Sequence, residues 1–183
     1  MKKYVWDYVI LVGVAALIVA LDQWTKYLVR TRIPFGESWS PWQWLEPYVR
    51  IVHWQNTGAA FGMFQGFGIV FTILAIIVAI AILFYYPRVP RAEWALRIAM
   101  VMMLGGAIGN LVDRLTIGTV TDFISVGTFA VFNVADSSIS VGTAILIVAV
   151  WLSERKEKKL AAGKQEQAQN TGEPPTEEKP PLE

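Results

Sequence analysis

The chain has 183 residues, of which 54% are hydrophobic and only 17% charged, and its net charge is +1. A soluble domain carries about 25% charged residues, so this composition excludes an ordinary soluble globule, and the near-neutral charge gives no reason to expect a nucleic-acid partner. The lack of cysteine excludes disulfides and thiolate nucleophiles, and a single histidine, His53, excludes a metal site built on several histidines.

Four apolar stretches are long enough, or nearly so, to cross a membrane as helices. They cover residues 5–24, 66–86, 95–112 and 137–153, and none contains a proline. A crossing needs about 20 apolar residues, so the third and fourth must include the charged residues beside them. The pattern predicts an all-α membrane protein with four transmembrane helices in a domain covering residues 1–152.

Basic residues next to the spans predict the orientation of the chain. Clusters of lysine and arginine precede the first span, separate the second from the third, and follow the fourth. These three clusters lie on the same side of a four-span protein, so both termini are predicted to be cytoplasmic. The first span has no convincing cleavage site before Asp22, and we expect it to remain as an anchor. Residues 153–183 are charged and rich in proline, which predicts a disordered cytoplasmic tail.

The longest connection, residues 30–65, is predicted to lie outside the cytoplasm. Its stretch 48–54 alternates loosely and is rich in β-formers, so we expect a short strand there, in a small extracytoplasmic β-rich element at the membrane surface. The next residues, 56–58, have the composition of a turn.

Ionisable side chains at membrane depth are costly and mark candidate functional sites. Here they gather at the outer ends of the spans: Asp22, Lys26, Asp113, Arg114, Asp122 and Asp136. Several have structural alternatives. The first two are four residues apart on one helix and can pair; Asn110, Asp113 and Arg114 are predicted to share a helix face, where the last two could form a salt bridge. Gly105 and Gly109 have the spacing of close helix packing.

Asp122 and Asp136 lie in apolar surroundings on either side of one short outer segment. A helix cap is the structural alternative for Asp136, but no clear helix follows Asp122. Two adjacent carboxyl groups that share a proton can act as base and acid on a peptide bond without a metal or cofactor. Three other hypotheses stay open. The first is a Ser137–Lys26 dyad. The second is a small proton or cation transporter with four acids as carriers, Asp22, Asp113, Asp122 and Asp136. The third is a structural subunit that binds a partner through its Trp-rich loop.

Five blocks of sequence, in their order along the chain, resemble a known family. They are DQWTK at 22–26, NTGAAFG at 56–62, GGAIGNLVDR at 105–114, DF at 122–123 and FNVAD at 132–136. The chain resembles the lipoprotein signal peptidases, the bacterial type II signal peptidases, over residues 1–152. Two features depart from the family pattern: Thr121 stands where valine is more usual, and the segment between the two aspartates is short.

The resemblance implies an aspartic endopeptidase of the bacterial cytoplasmic membrane that acts at the outer interface. It would remove the signal peptide from diacylglyceryl-modified prolipoproteins, just before the lipidated cysteine, without a cofactor or metal. Membrane lipids and globomycin-type peptide inhibitors would be its other ligands. The resemblance assigns catalysis to Asp122 and Asp136 and a supporting or substrate-binding role to eight further residues: Asp22, Lys26, Asn56, Gly58, Asn110, Asp113, Arg114 and Asn133.

Overall fold

The computed structural model describes residues 2–58 and 64–171. Its helices are α1 (Lys2–Arg32), α2 (Gly68–Tyr85), α3 (Trp94–Thr116) and α4 (Val134–Thr171), with a short 3₁₀ turn at Tyr86–Arg88 after α2. The strands are β1 (Ser38–Trp39), β2 (Val49–Asn56) and β3 (Val120–Val126). The chain divides into two compact units, Met1–Leu146 and Ile147–Glu183. All three strands belong to the first unit.

All four helices are long and apolar enough to cross a membrane. Helix α1 continues past the predicted apolar span and ends just before Pro34, a residue that disfavours helical conformation in the position before it. Helices α3 and α4 take in the polar residues that flank the charge-free stretches, as their lengths require. Half of the apolar window of α3 is buried, against 6% for α2, so α3 is the central helix of the first unit.

The apolar core of the first unit joins α1, α2 and α3. It includes Leu11 and Ala15 from α1, Ile82 from α2, and Val101 and Leu104 from α3. Most other large apolar side chains of α2 are exposed, for example Ile69 and Ile80, as expected of a helix surrounded by lipid.

A three-stranded antiparallel sheet in the order β1–β2–β3 lies where α1 and α3 end and α4 begins, which we call the sheet end. The strand predicted over 48–54 is confirmed as β2. Strand β3 was not expected from the sequence; it pairs with β2 so that Asp122 lies opposite Trp54. The pairing shifts register between Ile51 and Trp54, a β-bulge-like irregularity.

The C-terminal segment differs in part from the predicted disordered tail. Helix α4 continues to Thr171, so residues 153–171 are helical rather than disordered. Glutamate, lysine, alanine and leucine dominate this segment up to residue 163, and these residues favour continuation of a helix that is already formed. The rest of the tail, residues 172–183, lies outside the described residues, and the domain boundary at residue 152 stays a prediction.

Candidate active site

Asp122 lies in the middle of β3 and is 2% exposed. Two side-chain amides hold its carboxylate: Asn56 Nδ2 donates to Oδ2 at 3.0 Å, and Asn133 Nδ2 donates to Oδ1 at 2.8 Å. Burial is the main cause that raises the pKa of Asp122 to about 7, and the negative charge of Asp136 is the second. The hydrogen bonds from the two asparagine side chains act in the opposite direction. At neutral pH this carboxyl group can therefore both hold and release a proton.

Asp136 lies in the first turn of α4, where it forms a capping box with Asn133. Its backbone N–H donates to Asn133 Oδ1 at 2.9 Å, while its carboxylate Oδ2 accepts from the Asn133 backbone N–H at 3.2 Å. The other oxygen, Oδ1, accepts from Asn110 Nδ2 at 2.7 Å. The capping alternative is therefore correct only in part, because Asn133 is the N-cap residue and Asp136 is its partner three residues later in the capping box. This role occupies only one of the two carboxylate oxygens of Asp136.

The three asparagines are fixed in the orientation that presents their NH₂ groups to the two carboxylates. Asn56 Oδ1 accepts from the backbone N–H of Gly58 at 2.9 Å, and Asn110 Oδ1 accepts from Lys26 Nζ at 3.0 Å. Asn133 Oδ1 is taken by the helix cap. With each carbonyl oxygen already bonded, the amide nitrogens are left to donate to Asp122 and Asp136.

Lys26 is the buried centre of the supporting network. Its ammonium group lies 2.8 Å from Asp22 Oδ2 and 3.3 Å from Asp113 Oδ2, and all three side chains are fully buried. The predicted pairing of Asp22 with Lys26 is confirmed. Asp22 also accepts the backbone N–H of Ala135 through Oδ1 at 2.9 Å, which ties α1 to the first turn of α4.

The predicted salt bridge between Asp113 and Arg114 is wrong. Asp113 contacts Lys26 and Arg30 instead, whereas the Arg114 guanidinium lies over the Phe71 ring, 5.7 Å from its centroid. Neighbouring residues of an α-helix point about 100° apart and do not face each other. Asp113 accordingly faces α1, and Arg114 faces α2 and the cavity described below.

Glycines of α3 permit the close approach on which this network depends. A Cβ at Gly109 would lie 2.7 Å from Asp22 Oδ2, and one at Gly105 would lie 2.8 Å from Ile18 Cβ. The predicted close packing at these two positions is confirmed, and at Gly109 it brings α3 against a functional side chain.

Two cavities meet at Asp122 and Asn56. The larger, about 670 Å³, is lined mainly by apolar side chains of α2, α3, α4 and the loop before α4, and both aspartates, Asn110 and Arg114 lie on its wall. The smaller, about 280 Å³, is lined by polar residues of β2 and its surroundings, among them Gln55, Thr57 and Gln65. Asp122 therefore lies where an apolar and a polar space meet, and Asp136 lies on the wall of the apolar one.

All ten residues singled out from the sequence lie in this network or on the cavity wall. Three further residues of the network were not expected from the sequence. Gln23 donates to Asp113 Oδ1 and to the Gly109 carbonyl oxygen at 3.0 Å each, and Arg30 and Thr121 contact each other. A signal for Arg30 existed, because it follows Lys26 by one helical turn and so shares its face.

Neither aspartate of the pair has an ionic partner within residues 2–58 and 64–171, since amides and a backbone N–H supply their contacts. His53 is not placed for nucleophilic catalysis, because its Nδ1 lies 2.8 Å from the Ile33 carbonyl oxygen inside the sheet region. Over the same described ranges, no three His, Cys, Asp or Glu side chains converge as a set of metal ligands.

Comparison with known proteins identifies the family. Residues 14–152 match the family model described as Signal peptidase (SPase) II. The lipoprotein signal peptidase of Mesorhizobium japonicum is 38% identical over 83% of this chain and 90% of its own length, and that of Halalkalibacterium halodurans is 39% identical over 80% and 94%. A solved bacterial membrane enzyme is similar at a TM-score of 0.72 with 30% identity, covering 79% of this chain and 88% of its own.

The family match contains every block of the site, the solved relative is a membrane enzyme and four helices can cross a membrane, so the chain is a multi-pass membrane peptidase that belongs to the signal peptidase II family.

Proposed function

We propose that the protein is an aspartic endopeptidase that removes the signal peptide from diacylglyceryl-modified prolipoproteins, cutting before the lipidated cysteine. The observation that carries this proposal is the pair Asp122 and Asp136. Both carboxylates line the apolar cavity and have no ionic partner among the described residues, and Asp122 also lines the polar cavity. The names of its relatives point to the same class of substrate.

The chemistry follows from one proton shared between two carboxylates. The ionised member takes a proton from water while the water oxygen attacks the scissile carbonyl carbon, and the protonated member donates its proton to the carbonyl oxygen. The resulting gem-diol collapses: one hydroxyl proton passes to the carboxylate that is now ionised, the C–N bond breaks, and the leaving nitrogen takes the proton that the first carboxylate received from water. One carboxyl group is then protonated and the other ionised, as at the start. The raised pKa of Asp122 suits it to hold the shared proton at neutral pH.

The two cavities fit the two parts of such a substrate. The apolar cavity between α2, α3 and α4 suits acyl chains and the apolar signal peptide, which arrive by lateral diffusion in the bilayer. The polar cavity beside β2 suits the peptide that follows the cysteine. The supporting residues, such as Lys26 and Asn133, hold the two carboxylates in position and do not take part in bond breaking.

The alternatives fit the geometry less well. Ser137 Oγ donates to the Asn133 carbonyl oxygen at 2.9 Å, while Lys26 is bound by two aspartates, which does not favour a Ser–Lys dyad. The four acids proposed as carriers gather at the sheet end, which is unfavourable for transport across the bilayer. A purely structural role leaves unexplained why the carboxylates of Asp122 and Asp136 have no ionic partner among the described residues.

The direct experiment incubates the purified protein with a diacylglyceryl-modified prolipopeptide and, as the matched control, with the same peptide unmodified. Mass spectrometry should find one cut, before the modified cysteine, in the lipidated peptide only, and it should be insensitive to EDTA and blocked by a globomycin-type peptide. Equal cutting of both peptides, or a cut elsewhere, would contradict the proposed specificity.

We also propose a bacterial cytoplasmic-membrane location with cytoplasmic termini and the sheet end outside. The chain contains no cysteine, so single cysteines can be labelled without background. An impermeant reagent should label Ser38→Cys but not Gly172→Cys on intact cells, and the reverse pattern would invert the proposed orientation.

A further inference from the structure

Arg30 makes a contact that the proposed chemistry does not use. It lies on α1 one turn beyond Lys26, and its Nη1 is 3.1 Å from Thr121 Oγ1 and 3.3 Å from Asp113 Oδ1. Its side chain is 27% exposed, whereas Asp113 is fully buried. Arg30 thus reaches from the edge of the protein into the buried network.

Thr121 is fully buried and directly precedes Asp122 on β3. Its backbone N–H donates to Asp113 Oδ2 at 2.9 Å, and its carbonyl oxygen accepts from Asn133 Nδ2 at 3.4 Å. With its hydroxyl on Arg30, every polar group of Thr121 is held by a different element around the site. Because Thr121 and Asp122 are consecutive in one strand, a movement of the first displaces the carboxylate of the second.

Arg30, Thr121 and Asp113 together close a ring of hydrogen bonds that joins α1, β3 and α3. Arg30 also adds a second cation to the buried acids. The two acids Asp22 and Asp113 are matched by two cations, Lys26 and Arg30. These four side chains therefore add no net charge beside Asp122 and Asp136. A valine at position 121 could not accept the bond from Arg30.

We propose that Arg30 and Thr121 are positioning residues of the peptidase, a pair that holds β3 in place so that the Asp122 carboxylate faces Asp136. This inference rests on the function proposed above. Neither residue contacts the cavity, and both act through Asp122 and its backbone.

The experiment compares kcat, KM and melting temperature for Thr121→Val, Thr121→Ser, Arg30→Gln and the Val/Gln double variant, with Arg32→Gln as the matched control on an exposed position of the same helix. One hydrogen bond to a charged group corresponds to about tenfold in rate. Thr121→Val and Arg30→Gln should each lower kcat about tenfold with KM within twofold. Thr121→Ser and Arg32→Gln should keep the rate of the unaltered protein.

The double variant should be no slower than the slower single variant, because Arg30→Gln already breaks the contact that Thr121→Val removes. A Thr121→Val enzyme with unchanged kcat, a Thr121→Ser enzyme as slow as the valine variant, or two effects that multiply would overturn the inference. If the valine variant fails to fold, Arg30→Gln alone decides, because water can reach the vacated position and an unchanged kcat there refutes the role. A failure of the proposed function is distinguishable, since the unaltered protein would then not cleave the lipopeptide at all.

Discussion

Helices α1 and α3 bury opposite charges at both of their ends, and the two clusters differ in what lies beyond them. At the end opposite the sheet, Asp7 Oδ1 is 2.7 Å from Arg97 Nη2 and 3.2 Å from Arg91 Nε. Arg97 also donates to the Val89 carbonyl oxygen at 3.0 Å and lies over the Tyr86 ring. In this opposite-end cluster the charged side chains form ion pairs with one another. None of these three side chains lines either of the two cavities at the sheet end.

At the sheet end, the corresponding set of Asp22, Lys26 and Asp113 continues into asparagine amides, and the amides end on two carboxylates in the cavity wall. Burial of charge is common to both clusters, so burial alone does not mark a function. The difference is that Asp122 and Asp136 are held by neutral donors, which orient a carboxylate without committing it to the charged form.

The largest effect expected from this comparison concerns the dyad. Asp122→Asn and Asp136→Asn should each lower kcat by about a thousandfold or more, because asparagine keeps the shape but cannot exchange the proton. The double variant should be about as slow as either single one, since the pair acts as a unit. Binding of a globomycin-type peptide is the folding control. A variant that binds the peptide and still cleaves near the normal rate would reject the aspartic mechanism.

The centre of the supporting network should matter for folding as much as for activity. Lys26→Met removes the cation that two buried carboxylates share, and loss of one partner from a buried ion pair costs about 3 to 5 kcal/mol. We expect a large fall in melting temperature and little folded protein. A normal melting temperature would mean that the folded protein does not depend on the ion pairs of Lys26 with Asp22 and Asp113.

The opposite-end cluster should affect stability alone. Asp7→Asn leaves Arg97 without its carboxylate and should cost about 2 to 3 kcal/mol, seen as a lower melting temperature. Among the molecules that remain folded, kcat should stay within twofold of normal, because the cluster lies far along α1 from the dyad. A large fall in kcat without a change in melting temperature would erase the distinction between the two ends.

Much of this arrangement follows from local sequence, and the rest depends on distant pairing. The four spans and the i, i+4 pair of Asp22 and Lys26 are readable because helical periodicity fixes which residues share a face. The Asn133–Asp136 capping box also has local spacing, although the sequence suggested Asp136 rather than Asn133 as the cap. The partners of Asp7 and the strand around Asp122 could not be predicted, because each depends on segments far apart in the chain.

Arg114 shows the limit of the periodicity argument itself. The sequence places it near the face of Asn110 and Asp113, but a helix packed between two neighbours has more than one buried face. In the structure Asp113 faces α1, whereas Arg114 lies over Phe71 of α2. Only the positions of the neighbouring helices decide which side chain pairs.

The smallest effect is expected at the C-terminal segment. Removal of residues 163–183 should leave kcat and KM within twofold of normal, because the segment is polar and has too few apolar residues to dock. Normal membrane expression is the control. A large fall in turnover with normal expression would assign the tail a role in the enzyme.

The central claim is that a carboxyl proton resides on the sheet-end pair near neutral pH and nowhere in the opposite-end cluster. Infrared spectroscopy of protonated carboxyl groups during a pH titration measures this most directly, on the unaltered protein, Asp122→Asn and Asp7→Asn. The folded pKa of Asp122, about 7, is above its usual value of 3.8, so its protonated form should persist to near pH 7 and then be lost. The contribution of this proton to the free energy of unfolding is fully present below about pH 4 and is lost as the pH rises through about 7. Cleavage should decline over the same rise in pH, because the shared proton is lost.

The account predicts a protonated carboxyl band that disappears near pH 7 in the unaltered protein and in Asp7→Asn, and that is missing from Asp122→Asn. Two results would contradict it: a band that is still present below pH 7 in Asp122→Asn, or a band that is missing from Asp7→Asn but present in Asp122→Asn.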